Sequence, residues 1–298
     1  MCMIGKYIDP FTDFGFKRIF GNEKHKNLLI SFLNDLLDIE NPIVEIDYKN
    51  LEKLGVNIAD RKAILDVYCK DSDGNRFIVE LQRAKQNFFK DRSLYYTSFV
   101  IQEQAEKGTW NYQLEPIYFI GILEFELDNS SDDYLTKVQL YDVDRKKQFY
   151  DKLTYYYIEI PKFKKEEEDL KDNLDFWLFF MKNVATLSEI PENFKSHEDI
   201  KEAFDVASFL ALSPDEQFAY QMDMKARNDY QNTLDTALDE GRKEGFKKGV
   251  KQGIQKGIEE GKNEAKIDIA KSMLKDNMPI DVIIKYSGLS KKEIEKIV

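Results

Sequence analysis

The most constraining feature of this chain is a pair of apolar segments, residues 63–69 and 76–82, joined by the turn sequence Asp71-Ser-Asp-Gly-Asn75. Gly74 suits the third position of a three-residue hairpin loop, because that position takes the left-handed backbone conformation that glycine adopts freely. A loop of this length pairs the first residue of the turn with the last. The turn also resembles the start of a calcium loop, but Gln82 stands where such a loop needs its final glutamate. The pattern therefore predicts a plain turn within an antiparallel β-hairpin.

Two carboxylates face each other in this hairpin. Counting inward from the turn places Asp66 opposite Glu80, and side chains alternate between the two faces of each strand. Gln82 shares the face of the two acids, whereas the opposite face is wholly apolar. The apolar face consists of Leu65, Val67, Cys69, Phe77, Val79 and Leu81. Like charges opposite each other destabilise a sheet, and a divalent cation with oxygen ligands would neutralise them. We therefore predict that Asp66 and Glu80 bind a metal ion; the alternative is a solvent-exposed polar face of an edge hairpin.

The remaining segments predict an α/β core followed by helices alone. Besides the hairpin, the predicted strands cover residues 43–48, 117–123, 135–143 and 154–160. The predicted helices cover residues 14–20, 28–37, 88–107, 174–187, 200–212 and 280–286, with a long helix from Pro214 onward. This order suits a mixed sheet flanked by helices. We predict an α/β core over residues 1–160, a helical region over 161–240, and a glycine-rich helix with a small C-terminal helical unit over 241–298.

Six glycines recur at every fourth position near the end of the chain: Gly241, Gly245, Gly249, Gly253, Gly257 and Gly261. The residues between them are mostly charged or polar, which argues against a pair of membrane helices. Each glycine costs a helix about 1 kcal/mol relative to alanine, so the repeat needs a compensating role. Glycines on a helix surface let another backbone approach closely. We predict self-association through Gly245, Gly249, Gly253 and Gly257 as a twofold homodimer, the commonest closed symmetry. The alternative is a flexible or intramolecularly packed tether.

Composition argues against several classes of protein. The 298 residues, 42% of them hydrophobic, can bury a sizeable core. The net charge of −11 argues against a protein that coats nucleic acid, although an enzyme that acts on nucleic acid needs only a local basic channel. His25 and His197 stand apart from each other and from any cysteine partner, which argues against zinc and Ser-His chemistry. The chain shows no signal peptide and no stretch of the roughly 18 apolar residues that a membrane helix needs. Cys69 suits a buried thiol, so we expect a cytoplasmic location.

The motif formed by Asp66 and, after the hairpin, Glu80-Leu81-Gln82 resembles the D…(D/E)xK signature of PD-(D/E)xK phosphodiesterases, with glutamine in place of the lysine. Further segments are similar to the recombination-promoting nuclease (Rpn) family, also described as PD-(D/E)xK nuclease family transposases. They are Asp13-Phe-Gly-Phe-Lys17, Val79-Glu-Leu-Gln-Arg83, Arg92-Ser-Leu-Tyr-Tyr96 and the glycine-rich tail. The resemblance covers residues 7–125 and resumes at the tail. Because several motifs agree in order and spacing, it favours a catalytic role for the acids.

The resemblance implies a restriction-endonuclease-like core and metal-assisted hydrolysis of DNA phosphodiesters, linked to recombination or to mobile or foreign DNA. It makes Asp66, Glu80 and Gln82 the catalytic residues. The two acids and the Leu81 carbonyl would hold a divalent ion, with Mg²⁺ expected and Mn²⁺ or Ca²⁺ as alternatives. Asp13 is either an additional metal ligand or the N-cap of the first helix. The candidate phosphate contacts are Lys17, Arg83, Lys85 and Arg92, for which structural salt bridges are the alternative.

Two other functions stay open. Gln82 cannot supply the positive charge of the usual lysine, so the chain could be a catalytically weak or inactive nuclease-fold protein that binds DNA or another partner. A scissile phosphate does not identify the sugar, so RNA could also be the substrate.

Overall fold

The computed structural model describes residues 5–49, 65–105 and 110–297. The helices in these ranges are α1 Asp13–Phe20, α2 Lys26–Leu36, α3 Phe89–Glu103, α4 Asn173–Asn183, α5 Glu198–Ala207, α6 Pro214–Lys275, α7 Ile280–Ser287 and α8 Lys291–Glu295. The strands are β1 Ile46–Tyr48, β2 Val67–Asp71, β3 Arg76–Gln82, β4 Ile117–Leu123, β5 Leu135–Asp142 and β6 Lys147–Glu159. None of the described helices is long and apolar enough to cross a membrane.

The described strands form one mixed sheet in the order β1-β2-β3-β4-β6-β5. Antiparallel pairing joins β1 to β2, β2 to β3 and β5 to β6, whereas β3, β4 and β6 run parallel. Parallel neighbours need a long crossover connection, and α3 supplies it between β3 and β4. The predicted mixed sheet flanked by helices, followed by helices alone, is confirmed.

The β2–β3 hairpin has the predicted register. Val67 pairs with Val79, and the same count sets Asp66 against Glu80. Gly74 adopts a φ of 93°, the left-handed conformation that the three-residue loop requires. Local turn chemistry therefore fixes which side chains face each other.

Both faces of the sheet are buried, each in its own core. On one face, side chains of β2 and β3 pack with α1, α2, α4 and α5. On the other face, Tyr68 and Ile78 pack with residues of α3. The prediction that Leu65 belongs to the first face is wrong, because it is buried in the second core. Leu65 precedes β2, so the alternation of strand side chains does not extend to it. Residues 63 and 64, predicted as strand, lie outside the described residues.

The structure places the main division of the chain later than the predicted boundary at residue 160. Trp177 of α4 and Phe204 of α5 belong to the same core as Phe20 and Phe32. The ring centroids of Phe20 and Trp177 are 5.7 Å apart. The chain instead divides into the compact units Met1–Arg227 and Asn228–Val298.

The second unit contains the glycine repeat and the small helical unit predicted at the C-terminus. The end of α6 packs with α7 and α8 around Ala270, Ile283, Leu289 and Ile294. Earlier in α6, residues 241–261 are helical and exposed. A methyl group added to any of the six glycines there would meet no atom within 4 Å. Packing within the described chain therefore does not require glycine at these positions.

Candidate active site

The predicted acids lie side by side at one end of the hairpin. Glu80 and Gln82 belong to β3, and Asp66 immediately precedes β2. Glu80 is 1% exposed and Gln82 is 7% exposed. Burying a carboxylate is costly unless neighbouring groups replace its lost hydration, so the contacts of this pair are informative.

Each acid is held by the backbone beside the other. The Asp66 N–H donates to Glu80 Oε1 at 3.1 Å, and the Leu81 N–H donates to Asp66 Oδ2 at 2.7 Å. These reciprocal hydrogen bonds fix both side chains relative to the hairpin. They leave Asp66 Oδ1 for other interactions.

Arg92, near the start of α3, is the counter-ion of Glu80. Its Nη2 lies 3.1 Å from Glu80 Oε2, and its Nη1 donates to Gln86 Oε1 at 2.8 Å. The guanidinium carbon lies 5.7 Å from the ring centre of Phe89 and 5.0 Å from that of Tyr96. The structural salt bridge considered for Arg92 is therefore present, and it is made with a candidate catalytic acid.

Burial dominates the electrostatics of the acid pair. It raises the pKa of Glu80 from 4.5 to about 8, with the Asp66 charge adding to this effect and Arg92 opposing it. Burial also raises the pKa of Asp66; the charge of Asp13 adds to this, whereas Lys17 and Arg92 oppose it. The pair therefore favours either a retained proton or a bound cation near neutral pH.

Helix α1 brings Asp13 and Lys17 within electrostatic reach of Asp66. The N-cap of this helix is Thr12, whose Oγ1 accepts a hydrogen bond from the Gly15 N–H at 2.9 Å. The alternative role of Asp13 as N-cap is therefore wrong. Asp13 forms an ion pair with Lys17 at 2.8 Å, and its role as an additional metal ligand stays a prediction.

The other predicted side chains occupy the segment after β3. Gln82 Nε2 donates to the Ala84 carbonyl at 3.1 Å, which orients the amide. Lys85 Nζ donates to the Glu126 carbonyl at 2.8 Å. Arg83 Nη1 is buried without a hydrogen-bond partner among the described residues. Arg92 thus contacts the acid pair, whereas Lys85 is engaged elsewhere.

The donor set suits a hard divalent cation. Two adjacent carboxylates supply the oxygen ligands that Mg²⁺ and Mn²⁺ prefer. Within the part of the chain that the structure describes, no group of three or more His, Cys, Asp or Glu side chains could hold a metal ion. Water or phosphate oxygens would have to complete the coordination shell, as is usual for Mg²⁺.

An ion-pair network beside the site was not predicted from the sequence. Arg227 Nη2 lies 2.8 Å from Glu124 Oε1, and Nη1 of the same arginine contacts Asp9. Glu124 directly follows β4, and its N–H donates to the Gln82 carbonyl at 3.0 Å. An acid directly after a buried strand was an available signal for Glu124. Its partner lies 103 positions further along the chain, beyond the reach of any local pattern.

Comparison with known protein families matches residues 10–237 to the family described as PD-(D/E)XK nuclease family transposase. The match extends through residues 126–230, where the sequence motifs gave little resemblance, and it ends before the glycine repeat. No curated protein and no solved structure matched the chain.

Proposed function

The chain belongs to the PD-(D/E)XK nuclease family transposases, and from this premise we propose that it is a metal-dependent DNA endonuclease. The observation that carries the proposal is the carboxylate pair of half-buried Asp66 and buried Glu80, each held by a backbone N–H beside the other, at 3.1 and 2.7 Å. Two adjacent acids, one of them buried, are costly to a fold, and a divalent cation offsets that cost while giving the site a chemical role.

Asp66, Glu80 and the Leu81 carbonyl would hold the ion. When bound, a divalent ion lowers the pKa of a coordinated water and stabilises the charge that develops on the scissile phosphate. Gln82, oriented by the Ala84 carbonyl, would position the attacking water or a phosphate oxygen. The reaction is hydrolysis of a phosphodiester: water forms the new bond to phosphorus, the bond from phosphorus to one sugar oxygen breaks, and that oxygen leaves as a protonated hydroxyl, so no oxidant is needed.

Incubation with supercoiled plasmid tests this function. The full chain should nick plasmid with Mg²⁺ or Mn²⁺, and Asp66→Ala should abolish nicking without unfolding the protein. Asp73→Ala, in the exposed turn of the same hairpin, is the matched control and should cut like wild type. Equal cleavage by wild type and Asp66→Ala would refute the assignment.

A nuclease-fold protein without activity, which binds DNA or another partner, is the second candidate. The uncharged Gln82 favours it. Plasmid that is retained but not cut in any divalent metal would support this alternative, and cleavage of RNA but not DNA would change the substrate. The family name motivates a role in recombination or in handling mobile or foreign DNA, and the free, buried thiol of Cys69 motivates a cytoplasmic location.

We also propose that the glycine-rich part of α6 forms an antiparallel homodimer. Phe246, Val250, Ile254 and Ile258 line this part of the helix and are 45–73% exposed. A twofold axis at Lys251 would set Gly241 opposite Gly261, Gly245 opposite Gly257 and Gly249 opposite Gly253. The same axis sets Arg242 and Lys243 opposite Glu260 and Glu259. A parallel pair would instead set like charges against each other, which opposes association.

Sedimentation tests both the interface and its direction. Gly249→Leu with Gly253→Leu should weaken the dimer, because bulk blocks the close approach of two helices. Lys243→Glu should weaken it on the order of tenfold, and adding Glu259→Lys should restore it. An unchanged oligomer in the double leucine variant would mean that the glycines serve another purpose.

A further inference from the structure

The charge balance of the candidate site points to a role for Arg92. Two carboxylates carry two negative charges, which a divalent cation would neutralise. A phosphodiester brings one more negative charge. Gln82, on the strand that carries the site, is neutral and cannot balance it. A neutral complex therefore needs one further cation beside the acids.

Arg92 is placed to be that cation. Its Nη2 contacts Glu80 Oε2 at 3.1 Å, and its charge also acts on Asp66. The Arg92 side chain is 28% exposed, whereas that of Glu80 is 2% exposed. The guanidinium thus lies at the boundary between the buried Glu80 carboxylate and the solvent from which a DNA backbone would arrive.

The surroundings of Arg92 hold its guanidinium without committing all of it to Glu80. The rings of Phe89 and Tyr96 lie 5.7 and 5.0 Å from the guanidinium carbon, a cation–π arrangement that does not depend on the carboxylate. Its Nε has no hydrogen-bond partner among the described residues. A planar guanidinium donates to phosphate oxygens as well as to carboxylates.

The nearby lysines are engaged with other groups. Lys17 pairs with Asp13 at 2.8 Å, and Lys85 donates to the Glu126 carbonyl at 2.8 Å. In the part of the chain that the structure describes, Arg92 is the cation that directly contacts the pair of Asp66 and Glu80.

We propose that Arg92 is a counter-ion that changes partner: it holds Glu80 while the site lacks a metal, and it binds the scissile phosphate once a divalent cation occupies the two acids. No covalent bond is made or broken in this exchange. A charge-assisted hydrogen bond from Arg92 to phosphate replaces the one from Arg92 to Glu80. The proposal rests on the proposed nuclease function.

Two variants of Arg92 and one control test the exchange. Arg92→Met keeps an unbranched side chain without its charge. Arg92→Lys keeps the charge without the planar guanidinium group. Lys90→Met is the matched control, since Lys90 is exposed at the start of the same helix and lies 3.6 Å from Asp128. Mn²⁺ binding to each full chain is measured by calorimetry, and plasmid cleavage is measured as kcat and KM.

Removing the competing charge should make Arg92→Met bind Mn²⁺ about tenfold more tightly, because attraction between the ion and the acids no longer has to displace a cation. The same variant should lose about a hundredfold in kcat, because one stabilising donor is missing when charge develops on the phosphate. Arg92→Lys should bind Mn²⁺ like wild type and recover part of kcat. Lys90→Met should match wild type in both measurements.

The opposite signs of the two effects separate this role from a structural ion pair. If Arg92→Met binds Mn²⁺ no more tightly than wild type, the exchange is refuted. If Arg92→Met does not fold, Arg92→Lys decides: weakened Mn²⁺ binding together with lost activity would also refute it. Wild-type protein that binds no Mn²⁺ would instead overturn the nuclease proposal itself.

Discussion

Replacing Glu80 with glutamine should make the metal-free protein more resistant to alkaline pH. Burial raises the pKa of Glu80 from 4.5 to about 8. Since the native protein holds this proton more tightly than the unfolded chain, the resulting stability is fully present below the unfolded pKa and is lost as pH rises through the native one. Each pKa unit corresponds to about 1.4 kcal/mol, so the wild type should lose roughly 3 kcal/mol between about pH 5.5 and about pH 9 through this group.

Glutamine resembles the protonated acid and does not ionise, so Glu80→Gln should lack this loss. Urea unfolding in EDTA, followed by tryptophan fluorescence, measures it, because Trp177 is buried in the core on the other face of the same sheet and becomes exposed when the first unit unfolds. From about pH 5.5 to about pH 9, the free energy of unfolding of the variant should rise by roughly 3 kcal/mol relative to that of wild type. Glu126→Gln, at an exposed carboxylate, is the control and should follow wild type. A Glu80→Gln variant that is destabilised equally at both pH values would refute the reasoning, since the stability of the wild type would then not depend on ionisation of Glu80 between them.

Three further substitutions test other parts of the first unit. Asp175→Asn should cost about 3 kcal/mol in urea unfolding, because the buried carboxylate accepts hydrogen bonds from Lys165 Nζ at 2.5 Å and the Lys171 N–H at 2.9 Å. Burial opposes ionisation of Asp175, but Lys165 holds the pKa of Asp175 below 3.8. The loss of stability in Asp175→Asn should therefore shrink as pH falls through the native pKa of Asp175, and a loss that persists in strong acid would contradict this explanation. Lys17→Met should weaken DNA binding and lower the slope of log affinity against log salt concentration by about one. An unchanged slope would mean that Lys17 only pairs with Asp13 and does not contact phosphate. Gly121→Val should cost about 1–3 kcal/mol, with Gly121→Ala milder, because a Cβ there lies 3.3 Å from the Tyr157 ring; thermal denaturation checks both.

The hairpin could be predicted because its information is local. Gly74 and the length of the turn determine the register, and the register sets Asp66 against Glu80. The prediction failed at Leu65, where the chain has not yet entered the strand. It also placed the start of β6 at residue 154, whereas the strand begins at Lys147. Residues 147–153 are mostly exposed, so their pairing with β5 leaves no apolar alternation to detect.

The contacts that complete the site depend on long-range packing. Arg92 meets Glu80 only because α3 packs across the face of the sheet that carries the acid, and helical periodicity does not say which strand a helix will cover. The predicted boundary at residue 160 misses the later division for a related reason. Trp177 and Phe204, on helices after β6, pack in the same core as side chains of α1 and α2. The apolar stripe of a helix does not identify the element against which that helix packs.

The start of α6 packs against the first unit, and the family match, which covers residues 10–237, includes it. Asp223 Oδ2 accepts a hydrogen bond from the Phe14 N–H at 2.9 Å, and the Tyr220 hydroxyl accepts one from the Asp9 N–H at 3.0 Å. These contacts hold the beginning of α1, so the first turns of α6 are part of the nuclease core. The glycines further along the same helix have no neighbour within 4 Å of an added methyl group, although each costs about 1 kcal/mol of helix stability. Core packing accounts for the first part of α6 and not for the second, and the proposed self-association would give the glycine repeat the role that packing within the described chain does not.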